Sequence, residues 1–419
     1  MRLLFAILAG LALFAAPVHA AGNGRTVVVV MFDGLAPAMV EAADTPNLDR
    51  IAKEGAWSSH LVPAFPTVSL PNHTSFVTGC WPGRHGIVSN IFFDPERGRY
   101  DHARDADWLT DCEPIWAAAE RQGAPAAALG FTARMSGTKG ALASHVDKEV
   151  RWEKWGSDMA RTEEVVRLLN QPDGKRPALI AIYLKGPDND AHFKGTLAPE
   201  TLKAVEESDA VVGRLMQAIE ALPPEREAAL VIGTDHGMID VGPLINIGRI
   251  VGKHDIKARV AASGASAYLY LDEGESADRV AEALAGYADA FTTYRKGHYP
   301  DFAHIGDSGR TGDLLLVAKP PYWLEGPEVF PDYAHWLGIT TFWATTFTPI
   351  FGGIKAAHGF DPAIPEMHGI FYAWGAGVAK GREIERLDII DVHPTVMALM
   401  GLEPGNPVDG TVVTEALAD

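Results

Sequence analysis

The chain has 419 residues and a formal net charge of −18 with no basic cluster, which argues against a basic face that grips a nucleic-acid duplex. With 47% hydrophobic and 21% charged residues it can bury a large core, as one big α/β domain or two smaller ones. The acidity leaves an anionic substrate open, because bound cations can dominate the local field of a site.

The start, Met1-Arg2-Leu3-Leu4-Phe5, carries one positive charge. An apolar run then reaches Pro17, and Val18-His19-Ala20 offers small residues for cleavage. Residues 1–20 read as a secretory signal peptide, leaving 21–419 as a single catalytic domain that is periplasmic or secreted. The run is short for a bilayer span, and no other stretch gives the mature chain a stable one. No Cys follows it, so a lipoprotein is not expected. The two cysteines, Cys80 and Cys112, leave two readings open: a disulfide, or two buried thiols.

Residues 26–32, Thr26-Val27-Val28-Val29-Val30-Met31-Phe32, read as a first strand. A helix follows from Thr45 to about Gly55, with Pro46 at its first position. Leu70 to about Gly79 and 114–122 read as helices, and 125–131 as a short strand. Leu179-Ile180-Ala181-Ile182-Tyr183-Leu184 and Ala229-Leu230-Val231-Ile232-Gly233 are continuous apolar runs, as in strands buried on both faces. Between them, Pro199 to about Leu222 is a long amphipathic helix. The alternation implies an α/β fold with a mostly parallel central sheet flanked by helices. From about 250 to 355 the character changes. Ala267-Tyr268-Leu269-Tyr270-Leu271 is a strand and Ala277 to Ala288 a helix. Residues 321–351 are dense in aromatics, Pro and Gly. This stretch reads as an inserted cap. The core pattern returns with Ile370-Phe371-Tyr372-Ala373-Trp374 and a closing helix from Ile389 to Gly401.

Three carboxylates and two histidines follow the buried strands: Asp33 before Gly34, Asp188 and His192 in Asp188-Asn189-Asp190-Ala191-His192, and Asp235-His236 before Gly237. Open α/β sheets bind ligands where strands end, and Asp and His are ordinary zinc ligands. The three-residue gap between Asp188 and His192 suits one ion on a loop or first helical turn. Any one of these runs is commonplace in a turn. Their joint occurrence points to a site with two metals.

Here the chain resembles a known family. Asp33-Gly34, Phe65-Pro66-Thr67, Pro71-Asn72-His73, Thr78-Gly79, His85-Gly86-Ile87, Asn90, Pro187-Asp188, His192, Thr234-Asp235-His236-Gly237-Met238 and Met367-His368-Gly369 fall in the order of the alkaline phosphatase superfamily. They look most like its nucleotide pyrophosphatase/phosphodiesterase branch, over about 26–248 and 358–403. The resemblance implies an alkaline phosphatase-like fold and two zinc ions, one held by Asp188, His192 and His368, the other by Asp33, Asp235 and His236 with Thr67. It implies Thr67 as the nucleophile, over the rival hydroxyls Ser69, Thr74 and Ser75, and Asn90 as the donor to a phosphoryl oxygen. Its reaction would be hydrolysis of a phosphodiester or nucleotide pyrophosphate through a phosphothreonine, on a small phosphate ester such as a nucleotide. His73 and His85 are expected to pack, and His393 to be structural.

Relatives of other specificity share the ligand set. A monoester-specific branch carries a Lys-x-Arg pair that Phe131-Thr132-Ala133-Arg134-Met135-Ser136 lacks, although Arg134 and Lys139 are at hand. Phosphonoacetate hydrolases and phosphomonoesterases are the alternatives, and a non-catalytic binding protein on the same fold is a third. Leaving-group preference is expected from the surroundings of Val68 and Phe92 and from 250–355.

Overall fold

The computed structural model describes residues 22–100, 108–132, 141–147, 154, 156–326, 346–347 and 353–418. The leader 1–20, Arg134, Lys139 and most of the aromatic-rich 321–351 lie outside the described residues. Among those described, no helix is long and apolar enough to cross a membrane.

In chain order the first half runs β1 (Thr26–Phe32), α1 (Pro37–Ala42), α2 (Pro46–Glu54), β2 (Ala56–Val62), α3 (Ser69–Thr78), α4 (Pro82–His85), α5 (Ile115–Arg121), β3 (Ala126–Leu129), β4 (His145–Val146) and α6 (Asp158–Leu169). It continues with β5 (Leu179–Leu184), α7 (Asp188–Lys194), α8 (Pro199–Glu220), β6 (Ala228–Thr234), β7 (Ile239–Asp240), α9 (Ile247–Lys253), β8 (Ala258–Ser263), β9 (Ser266–Leu271) and α10 (Ala277–Leu284). The last part holds β10 (Phe291–Arg295), β11 (Leu314–Ala318), β12 (Ala356–Ala357), β13 (Gly369–Gly375) and α11 (Val392–Met400).

The main sheet is ordered β2, β13, β6, β1, β5, β3, β4, with the short strands Arg382–Glu383 and Leu387–Asp388 beside β2. β6, β1, β5, β3 and β4 are parallel. β13 runs antiparallel to both β6 and β2. The apolar runs do not alternate because both faces are covered. Val27, Val29 and Met31 enter the core under α5 and α11, while Val28, Val30 and Phe32 enter the one under α2, α6 and α8. Burying one such side chain is worth about 1.5–3 kcal/mol. α8 begins with Pro at its first position and turns Val205, Val211, Val212, Leu215 and Met216 onto the second face. Because β1, β5 and β6 are parallel and in register, Asp33, Asp188 and Asp235 all emerge at one sheet edge.

Residues 258–318 form a separate antiparallel sheet, β8-β9-β11-β10. One face packs on α9 and α10 through Ile247, Ile250, Val280 and Leu284. The other lays Tyr268, Tyr270, Leu315 and Val317 over Phe65, Leu70, Val88 and Phe92, beside the start of α3. Cys80 and Cys112 form a disulfide, with 6.6 Å between their Cα atoms, which settles the alternative left open by the sequence. His393 is structural, as expected: Nδ1–H donates to Val77 O at 2.7 Å and Nε2 accepts from Gly405 N at 2.7 Å. Burial pushes its pKa down to about 4, and that of His85 to about 3, so both are neutral core groups.

Candidate metal centre

Two groups of three ligand side chains stand at the edge where β1, β5 and β6 end. Asp33, Asp235 and His236 make one; Asp188, His192 and His358 make the other. Gly34 lets them approach. Its φ is +64°, and a Cβ there would press on Asp188. Asp188 opens α7, and His192 four residues on shares its face, with Nε2 3.4 Å from Asp188 Oδ1. His236 Nε2 lies 3.5 Å from both Asp33 Oδ1 and Asp235 Oδ2. The two groups touch, since the His236 and His358 rings stack with centroids 3.6 Å apart.

The hydrogen bonds around the rings fix where their lone pairs point. Each of the three imidazoles pairs its Nδ1 with a main-chain carbonyl: His192 with Ala356 O at 2.7 Å, His236 with Gly237 O at 3.0 Å and His358 with Thr67 O at 2.9 Å. A carbonyl only accepts, so Nδ1 carries the proton and each Nε2 is a bare lone pair aimed inward. His192 and His358 then oppose Nε2 to Nε2 at 3.2 Å, which is repulsive unless a cation sits between them. Burial lowers the His358 pKa far below its usual value, so the His358 ring is neutral. Asp33 Oδ1 and Asp188 Oδ1 are buried with no hydrogen-bond partner. Buried polar atoms are normally satisfied. Three lone pairs and two orphan carboxylate oxygens therefore fit metal ions.

Neighbours fix the carboxylates. Asp235 Oδ1 accepts from Gly34 N at 3.1 Å and His236 N at 3.0 Å, and Oδ2 accepts from His73 Nε2 at 3.1 Å. Burial pushes Asp235 upward, but the hydrogen bonds from His73 and the Gly34 amide help hold the carboxyl below its usual range. Asp33 goes the other way: burial first, then the charges of Asp235 and Asp188, raise it well above the carboxylate range. Tyr183 donates a short hydrogen bond to Asp33 Oδ2. His73 was expected only to pack; it also hydrogen-bonds Asp235 of the candidate ligand group.

Of the expected ligands, Asp33, Asp188, His192, Asp235 and His236 come together. His368 does not. It stands just before β13, which lies between β6 and β2, and its ring faces β2, with Nδ1 3.2 Å from His60 Nδ1 and Nε2 on Pro362 O at 3.0 Å. The third imidazole of the Asp188 group is His358. It follows β12, which pairs with β7, and Lys355 N, just before β12, donates to His192 O at 2.7 Å. That pairing delivers His358 to the mouth of α7. The sequence held one signal for it: His358-Gly359 repeats the imidazole-glycine form of His236-Gly237.

Thr67 is likewise not with the Asp33 group. It is 0% exposed. Its hydroxyl accepts from Gly359 N at 2.9 Å and faces Phe360 O at 3.1 Å and Met367 Sδ at 3.3 Å. Among the described residues no hydrogen bond joins it to a ligand carboxylate. Ser69 takes that position: its Oγ is 3.3 Å from His236 Nε2, and it is the first residue of α3. Asn90 stands beside it, its Oδ1 accepting from Leu70 N at 2.8 Å. The Asn90 amide nitrogen has no protein acceptor among the described residues. Val68 and Phe92 are fully buried, Phe92 stacked on Tyr100, so neither lines an open surface.

A family model described as type I phosphodiesterase / nucleotide pyrophosphatase matches residues 27–333. Human ectonucleotide pyrophosphatase/phosphodiesterase family member 7 is 26% identical over 411 residues, covering 93% of this chain and 82% of that protein. An uncharacterized pyrophosphatase/phosphodiesterase of Schizosaccharomyces pombe is 25% identical over 408 residues, covering 92% and 79%. Among solved structures, murine ectonucleotide pyrophosphatase/phosphodiesterase 5 superposes with a TM-score of 0.79 at 23% identity, covering 94% of this chain and 100% of that one. A second structure of the murine protein is an inactive threonine-to-alanine variant in complex with AMP. The structural likeness shows a shared fold, and the family match goes further: the chain belongs to the type I phosphodiesterase/nucleotide pyrophosphatase family and is a hydrolase of that class.

Proposed function

We propose that this protein hydrolyses phosphodiesters or nucleotide pyrophosphates at a two-zinc centre, through a covalent intermediate on Ser69. The observation that carries the reading is the convergence of three unprotonated Nε2 atoms and two orphan carboxylate oxygens beside a serine hydroxyl. Asp188, His192 and His358 would hold one ion, and Asp33, Asp235 and His236 the other. The N/O donor sets suit zinc. Bound there, the ions would lower the pKa of the serine hydroxyl and neutralise charge on the entering and leaving oxygens.

Each remaining role belongs to a named group. Ser69 gives up its hydroxyl proton to solvent as Oγ attacks phosphorus in line with the departing ester or phosphate oxygen, so one P–O bond forms as another breaks. Water then attacks phosphorus from the vacated side, and Ser69 Oγ leaves as the hydroxyl, taking up a proton as the water gives one up. The Asn90 amide donates to a non-bridging oxygen, while its Oδ1 fixes the first turn of α3. Ser69 is preferred to Thr67 because Thr67 spends its hydroxyl on 359–360 and Met367, away from the ligands. A threonine-to-alanine variant of the murine relative is inactive; here we assign the nucleophile to serine.

A diester or pyrophosphate is preferred to a monoester on the family match and because Phe131-Thr132-Ala133-Arg134-Met135-Ser136 lacks the Lys-x-Arg pair of monoester-specific relatives. A monoester dianion would want such a cation for its extra charge. The antiparallel sheet 258–318, laid over the start of α3, would act as the cap that selects the leaving group. Comparing kcat/KM of the zinc-loaded enzyme on an aryl phosphodiester, a nucleoside pyrophosphate, an aryl phosphomonoester and phosphonoacetate is the test. We expect the first two to lead by about 10²-fold or more, the scale of differential binding at a charged site. A faster monoester or phosphonoacetate would overturn the substrate assignment.

Export belongs to the same reading, on the charged start and the apolar run to Pro17. N-terminal sequencing of protein from its native host should begin near Ala21. Soluble material with Met1 intact would contradict it.

A further inference from the structure

The metal reading leaves Thr67 without a catalytic task, yet it is fully buried against the segment that carries His358. Its main-chain carbonyl accepts from His358 Nδ1 at 2.9 Å. Its side chain accepts from the next residue, Gly359 N, at 2.9 Å, and its hydroxyl proton faces Phe360 O at 3.1 Å. One residue thus holds three consecutive residues of the segment that presents His358. On the far side, Ala265 N donates to His358 O at 3.0 Å. Gly264, at φ +63°, has no room for a Cβ against that same carbonyl. The His358 peptide is therefore gripped between the lead-in to α3 and the β8–β9 turn.

We propose that Thr67 is a positioning residue for the Asp188/His192/His358 centre, setting the direction of His358 Nε2. The inference rests on the two-metal reading. The carbonyl fixes the tautomer, so that Nε2 is the bare nitrogen. The hydroxyl fixes the peptide that carries the ring. Without the hydroxyl, Gly359 N loses its acceptor in a buried place, and the segment must shift to find another. The ring would follow, because Thr67 O and Gly359 N are held as one unit. His192 hangs on Ala356 O and the Asp188 side chain on α7, so neither depends on Thr67 directly.

The test is zinc retention. Thr67→Val removes the hydroxyl at nearly constant volume, and Thr67→Ser restores it. Each protein, loaded with zinc, is titrated with a chelator while released zinc and turnover are followed. The wild type should hold two ions. Thr67→Val should release one of them at roughly 10–100-fold lower chelator concentration, the usual effect of losing a partner behind a ligand, and keep the other. Its turnover should recover with excess zinc, and Thr67→Ser should match the wild type. Equal retention of both ions in Thr67→Val would overturn the proposal. So would equal loss of both, which marks general damage. Should Thr67→Val fail to fold, Thr67→Ala, which adds no new contact, is read the same way. A wild type that binds fewer than two ions would instead strike at the two-metal reading.

Discussion

Ser69→Ala is expected to lower kcat on a phosphodiester by about 10⁴-fold or more while both metals stay bound, because losing a nucleophile removes the covalent route. The reasoning is local. Ser69 heads α3, where the helix N-terminus favours negative charge on an attacking oxygen, and its Oγ lies 3.3 Å from His236 Nε2. The three protein ligands of that ion do not include it. Thr67→Ala at saturating zinc should keep most of the wild-type rate, which separates the two hydroxyls. Asn90→Ala should be milder, at ~2–4 kcal/mol of barrier, the usual cost of one lost donor to developing charge. Steady-state kinetics with metal analysis on the same samples checks all three. A Ser69→Ala enzyme with near-wild-type turnover would remove serine from the mechanism.

Asp235→Asn should carry the second largest effect, a drop of about 10³-fold in activity with zinc falling from two ions toward one. The carboxylate is fully buried and holds Gly34 N, His236 N and His73 Nε2 at once. An amide keeps the shape and one acceptor but loses the charge that a bound dication and His73 both use. Stability should track the metal as well. A site at 100 times its Kd contributes about 2.7 kcal/mol to the folded state, so the zinc-dependent rise in Tm should shrink in the variant. Elemental analysis and thermal unfolding with and without zinc decide it. Two retained ions with wild-type turnover would refute the role.

Most of the sheet was legible because its strands are buried on both faces. A run such as Thr26–Phe32 has no competing helical period, and its strand spans the expected residues. Five members of the two candidate ligand groups were legible for the same reason: each follows such a strand or opens the next helix. His358 was not. It follows only the two-residue strand Ala356–Ala357, beyond a stretch whose aromatics and glycines give no period. Its position depends on pairing with Ile239–Asp240, more than a hundred residues away. His368 misled because it stands just before a core strand at the correct edge, but there its ring meets His60. Thr67 and Ser69 are two residues apart in an irregular lead-in to a helix, and no spacing rule separates them. The first turn of α3 does, by pointing Ser69 at His236 and leaving Thr67 to the 358–360 segment. The disulfide was open in the sequence because two cysteines 32 residues apart carry no distance.

The most direct measurement is to trap the intermediate. Zinc-loaded enzyme is quenched in acid during turnover of an aryl nucleotide diester, digested, and the peptide spanning Thr67 to Thr78 is examined by mass spectrometry. The account predicts a nucleotidyl adduct on that peptide, with fragmentation placing the added mass on Ser69 and none on Thr67. An adduct on Thr67, or no adduct at any quench time in an enzyme that turns over, would contradict it.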